Sequence, residues 1–319
     1  MLHKIDLNAL APVPLATSGV APEQVHVFNQ RSLHAVNAAL AARRPLLVRG
    51  EPGTGKTQLA RAAAKVLGRA FIAQVVDSRT DPRDLLWHFD AVGRLAEAQL
   101  QSAMSHDEAV MREKLAIQNF VRPGPLWWAF DWPSAEEQAL RVQMAPPLQV
   151  DGGQWKHGCV LLIDEIDKAE SDVPNALLEA LGNGSFLPMD RAEPVEVSAR
   201  PPLVVITTNE ERTLPDAFIR RCLVLHLKLP EESSRLTEHL VNIGEAHFPQ
   251  ASPTLLQRAA EMLVSDREKV EEKGLAPPGQ AEYLDLVRAV QDAASNEDEE
   301  NEMLHTISTF VLDKHEGTR

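Results

Sequence analysis

The stretch Gly50-Glu51-Pro52-Gly53-Thr54-Gly55-Lys56-Thr57 constrains this chain more than any other, because of what flanks it. Ahead of it runs Pro45-Leu46-Leu47-Val48, a short apolar segment of the buried-strand type. Behind it, Lys56 to Gly68 carries apolar residues at helical spacing and stops at a glycine. A loop of the form G-x-x-x-x-G-K-[ST] between a strand and a helix is a phosphate cradle. Gly50, Gly53 and Gly55 leave room for backbone N–H groups to face phosphate oxygens, and the helix N-terminus adds its positive end. In that reading Lys56 reaches the β- and γ-phosphates and Thr57 ligates Mg²⁺, with Glu51, Pro52, Thr54 and Gln58 completing the wall. The alternative is a glycine-rich turn that holds nothing.

The same rhythm continues along the chain. Ala70–Val76, Cys159–Glu165, Pro201–Asn209 and Arg221–Leu229 contain further apolar runs bounded by polar or turn residues. Runs of this kind, alternating with helical segments, specify interior strands of a parallel α/β sheet with right-handed crossovers. After Pro230 the pattern is helical throughout, and Asn296–Glu302 reads as an acidic link between the last two helices. The expected organisation is an arm over residues 1–25, a nucleotide-binding domain over 26–230 and a helical domain over 231–319.

Two acids follow the third apolar run. Asp164 at the strand end suits the Mg²⁺ shell, and Glu165 beside it suits a general base for an attacking water. Asp164 lies too far along the chain from Thr57 for a single helix–strand–helix, so an insertion is expected between them. Asn209, ending the next strand, can orient water or meet the γ-phosphate. Arg220 and Arg221, after a short helical segment, supply cations for transition-state charge. A plain solvated face is the other reading of that arginine pair.

Taken together, "GEPGTGKTQLA", "VLLIDEIDKA", "TTNEERTLPDAFIRRC" and "PGPLWWAF" resemble the AAA+ ATPases, and among them the MoxR type, over about residues 25 to 315. The resemblance implies a P-loop NTPase αβα domain followed by a small all-helical lid, assembled as a hexameric ring with ATP between subunits. It implies that Arg221, and after it Arg220, acts in trans as an arginine finger, and that Val27 and Phe28 lie where relatives contact adenine. It also implies ATP hydrolysis coupled to remodelling or maturation of protein clients, with a VWA-domain protein as partner. "FDAVGRLAEA" and "SFLPMDRAEPVEVSA" (185–199) look like the two inserted hairpins of such relatives, which face the pore; hairpins that merely pack are the alternative. The chain departs from the pattern at Pro277-Pro278-Gly279-Gln280, where a lid cation is expected and only Arg288, deeper in the helix, is near.

Other classes fit less well. A formal charge of −14 disfavours a broad nucleic-acid surface, which weighs against a DNA- or RNA-acting motor. An ATP-gated scaffold or sensor with little turnover is compatible with the altered lid, and a GTPase lacks an N-K-x-D motif. Cys159 and Cys222 read as reduced core residues, and no apolar run has membrane-spanning length, so a cytoplasmic protein is expected. Trp87, Trp127, Trp128, Trp132 and Trp155 all fall within residues 87–155, between the cradle and the acidic pair. They suit either a surface for a partner or the insertion's own small core.

Overall fold

The computed structural model describes residues 4–6, 11–17, 19, 22–104, 108–275, 277–294 and 296–312. The five apolar runs form one parallel sheet: β1 (Leu46–Arg49), β2 (Arg69–Val75), β3 (Gln154–Asp164), β4 (Leu203–Thr208) and β5 (Leu223–His226). Their order is β5-β1-β4-β3-β2. Val160 of β3 lies opposite Leu203 on one side and Phe71 on the other, and Val75 lies opposite Asp164. Every residue of β4 is buried, as is β3 from Gly158 to Ile163, which explains why these strands read as unbroken apolar runs. β3 starts earlier than the sequence suggests, and its first four residues are exposed.

The chain forms two compact units. One holds Gln30–Val48, Ala60–Leu225 and the described residues among the first nine. Its core brings Leu161, Ile163 and Ile206 of the sheet together with Trp127, Trp128, Phe130 and Phe218. The region between β2 and β3 corrects one expectation. "FDAVGRLAEA" is not a hairpin: Trp87–Phe89 pairs antiparallel with Val121–Pro123, and the helices Ala91–Met104 and Glu108–Lys114 stand between those strands. The Asp90 carboxylate accepts the Gly93 N–H at 2.7 Å, so the glycine that resembles a turn sits in the first turn of a capped helix. The other hairpin is as expected, with Ser185–Phe186 pairing antiparallel with Val195–Glu196.

The second unit holds the described residues of Leu10–Asn29, Arg49–Leu59 and the described residues from His226 onward. Its helices Ser233–His247, Pro253–Glu272, Gln280–Ala293 and Glu297–Val311 pack around Leu240, Leu263, Tyr283, Leu286 and Val290. Early residues contribute an antiparallel pair, Val13–Leu15 with Gln24–His26. The acidic stretch expected as a link opens the last helix instead. Asn296 caps it by accepting the Glu299 N–H at 3.0 Å, and four acids in its first turn favour the positive end of the helix.

Both cysteines are buried and free, and burial pushes their thiols up to about 12 (Cys159) and about 11 (Cys222), so both stay protonated. Among the described residues no helix is long and apolar enough to cross a membrane.

Candidate functional site

The glycine-rich loop belongs to the second unit and wraps around its own lysine. Lys56 Nζ donates to the carbonyls of Gly50 (2.7 Å) and Glu51 (2.8 Å), and the Thr54 hydroxyl donates to the Glu51 carbonyl (2.8 Å). Gly53 has φ +76°, and a Cβ there would lie 2.9 Å from Ala281 Cβ, on the helix Gln280–Ala293. A Cβ on Gly50 would strike the Leu227 carbonyl. Both glycines are therefore required by close packing within this unit as well as by the loop's curvature. Thr57 follows in the first helical turn, where N–H groups have no intrahelical partner. A concave loop at a helix N-terminus, which a side chain on Gly53 would disrupt, fits a nucleotide's phosphates. The Thr57 hydroxyl and the Asp164 carboxylate are hard oxygen donors of the kind Mg²⁺ takes.

Sequence reading missed the cation that meets this loop. Arg267 Nη2 sits 3.1 and 3.0 Å from the two carboxylate oxygens of Glu51. The same guanidinium donates to the Pro278 carbonyl (3.1 Å) and pairs with Glu271 (3.0 Å). Arg288 is engaged elsewhere in the unit, 5.6 Å over the Phe248 ring and 3.4 Å from Asp285 Oδ1. Phe28 is buried with its ring edge-on to His26 at 4.6 Å, Val27 is half-buried, and Gln58 lies 3.4 Å from Gln24.

The first unit gathers the acids. Asp164 ends β3, and Glu165 follows in the left-handed region at φ 61°, ψ 44°. Thr207, fully buried on β4, binds both: its hydroxyl donates to the Asp164 carboxylate and accepts the Glu165 N–H at 3.0 Å. A non-glycine residue held left-handed by such a bond is the kind of strain found at working sites. The Asp167 carboxylate, also buried, accepts the N–H groups of Glu211 (3.0 Å) and Asn209 (3.4 Å). Asn209 and Glu165 thus leave neighbouring strands on backbones tied by two buried polar side chains. The Glu165 carboxylate meets Lys168 Nζ at 3.0 Å, and that hydrogen bond holds the lysine above its ordinary range.

Arg220 and Arg221 follow the one-turn helix Asp216–Ile219 and are exposed, and neither guanidinium has an ion-pair partner among the described residues. Their backbone is held by Arg44, whose Nε donates to the Arg221 carbonyl at 3.0 Å and whose Nη2 donates to those of Arg220 and Cys222. Thr207, Asp167, Arg44 and Arg267 were not singled out from sequence. The first polar residue after the apolar run Leu203–Ile206 was the visible sign of the first, and a third acid just after Glu165 that of the second.

A family model described as AAA domain (dynein-related subfamily) matches residues 45–222. No curated protein matches the chain. Among solved structures, a candidate ATPase from Cytophaga hutchinsonii is similar at 13% identity and TM-score 0.38, covering 88% of this chain and 79% of its own. Two single-site mutants of Thermotoga maritima RuvB are similar at 16% identity. Their TM-scores are 0.43 and 0.42, over 88% of this chain and 69% and 68% of theirs.

Proposed function

Because the chain belongs to the AAA domain family, dynein-related subfamily, we propose that it is a MoxR-type ATPase that hydrolyses ATP with Mg²⁺ at sites shared between subunits of a hexameric ring. The cycle serves to remodel or mature partner proteins, with a VWA-domain protein as the expected co-worker. Bound ATP supplies the phosphoanhydride and Mg²⁺ offsets its negative charge. Residues Gly50 to Gln58 hold the phosphates through backbone N–H groups, with Lys56 as the mobile cation. Thr57 and Asp164 hold the metal, Glu165 takes a proton from water, and Asn209 orients that water. Arg221, with Arg220 beside it, reaches the phosphates of the adjoining subunit, while Val27 and Phe28 border the adenine.

The observation that carries this reading is the buried Thr207 hydroxyl bridging Asp164 and the Glu165 backbone. A strand end built only for packing has no use for a charged carboxylate oriented by a buried donor beside a left-handed glutamate. One observation favours a second reading, an ATP-gated scaffold with little turnover: a Glu165 carboxylate oxygen is held by Lys168 Nζ at 3.0 Å, so the carboxylate must leave that partner before it can meet water.

Measuring ATP turnover per subunit against protein concentration, with Glu165→Gln as the blank, separates the readings. A specific rate that climbs with concentration is the expected result, since each site then needs a neighbour's arginine. A real but concentration-independent rate would place the arginine in cis and remove the ring. A rate no higher than the blank would favour the scaffold.

A further inference from the structure

The N–H groups of Arg220, Arg221 and Cys222 bond back to the carbonyls of Asp216, Phe218 and Ile219, but the carbonyls of the same three residues are held from elsewhere in the chain. The helix before them, Asp216–Ile219, is a single turn, and a helix leaves its last carbonyls without intrahelical partners. Three successive carbonyls, those of Arg220, Arg221 and Cys222, converge instead on the guanidinium of Arg44, more than 170 positions earlier in the chain. A guanidinium carries five donors in a rigid fork, so it can serve several acceptors at fixed angles, whereas a lysine ammonium is a compact point charge on a flexible stem.

Arg44 is itself anchored. Its N–H donates to the Ala39 carbonyl at 3.2 Å, closing the helix Gln30–Ala42, and Arg43 turns the chain at φ 52°. Pro45 follows, which restricts Arg44 to extended backbone, and the Pro45 carbonyl accepts the Leu223 N–H at 2.8 Å. The chain is therefore pinned just before β1 and again at the start of β5, and Arg44 spans the joint between them. The Arg220 and Arg221 side chains are both exposed.

We propose that Arg44 is a positioning residue for the transferred-phosphate reaction: it locks the Arg220–Cys222 backbone so that the Arg220 and Arg221 guanidiniums project from the subunit toward the phosphates held by a neighbour. This rests on the ring reading given above. Arg44 touches no nucleotide and acts only through the pair, so its loss costs turnover while leaving ATP binding by its own subunit intact.

The test is complementation between full-length variants. Arg44→Ala alone is expected to lower kcat on the order of tenfold to a hundredfold with KM for ATP nearly unchanged, as small misplacements of a catalytic group do. Arg44→Lys recovers part of the rate. Mixing Arg44→Ala with Glu165→Gln, the first impaired and the second inactive alone, restores turnover well above the mean of the two, because the Glu165→Gln subunit lends its intact arginines to its neighbour's intact site. Arg220→Ala/Arg221→Ala mixed with Glu165→Gln runs in parallel. A wild-type rate for Arg44→Ala overturns the inference alone. So does failure of Arg44→Ala to complement while the double arginine variant does, since Arg44 is then needed for more than presenting the pair. If the double variant also fails to complement, the shared-site reading falls and the inference falls with it.

Discussion

A hydroxyl can donate and accept at once, and Thr207 uses both capacities on the two acids to which the proposed reaction is assigned. Valine has the same shape without either, so Thr207→Val leaves the half-buried Asp164 carboxylate and Glu165 N–H each short of one partner. The expected stability cost is about 1–3 kcal/mol, the desolvation left uncompensated. With Asp164 as the proposed Mg²⁺ ligand the larger effect is expected on the metal: outer-shell partners of a ligating carboxylate are worth about 10–100-fold in affinity, so the Mg²⁺ needed for nucleotide binding or turnover is expected to rise by that factor. A Mg²⁺ titration of Thr207→Val against Thr207→Ser checks this, serine being expected to behave nearly as wild type; equal Mg²⁺ dependence of all three would rule the role out. Glycines, lysine and acids were legible in the sequence because each stands in a local pattern of a few residues. Thr207, Arg44 and Arg267 were not, because their partners lie 43, 176–178 and 216 positions away. A single sequence shows spacing along the chain and nothing of which distant polar atoms the fold brings together.

At the scale of elements the same contrast holds. All five sheet strands were legible as apolar runs, most plainly β4 and the inner part of β3, since a strand buried on both faces must be apolar along its length. The helix Ala91–Met104 was not, because Asp90 and Gly93 make a cap that looks like a turn when read alone. The tryptophans divide similarly. Trp127, Trp128 and Trp132 lie in the core of the first unit, with Trp128 and Trp132 edge-on at 4.9 Å. Trp127 also donates to the Ser134 hydroxyl at 2.9 Å and carries the Arg191 guanidinium 5.2 Å over its ring. Trp155, on the exposed start of β3, is 36% accessible, with Lys156 Nζ 5.8 Å from its ring centroid. The core reading therefore holds for the buried rings, while Trp155 remains at the surface. Trp127→Ala is expected to cost about 3–5 kcal/mol, and Trp155→Ala less than about 0.5 kcal/mol. Urea unfolding followed by circular dichroism measures both, and comparable losses would contradict this division.

For the whole molecule, the two units differ in what acid does to them. His26, His239 and His247 all belong to the second unit, and burial holds each below its ordinary value, His26 down to about 4 with the His247 charge as a lesser cause. A folded pKa that is depressed means the unfolded chain binds the proton first. Stability from keeping these rings neutral is therefore complete above about 6.5, the ordinary histidine value, and is lost as pH falls from there toward 4. The helices of the second unit are expected to weaken over that window, before most carboxylates titrate, giving a fall in helical circular dichroism. His26→Gln should move the midpoint to lower pH; an unchanged midpoint would dissociate His26 from the effect. The placement of the aromatic residues decides how such an experiment would look to an optical probe. All five indoles belong to the first unit, and the chain's single phenol, Tyr283, is buried in the second. Indole fluorescence is in effect a label on the first unit: an acid titration or a melt followed by emission alone reads the surroundings of those five rings, and the helical unit has no indole of its own to report its loss.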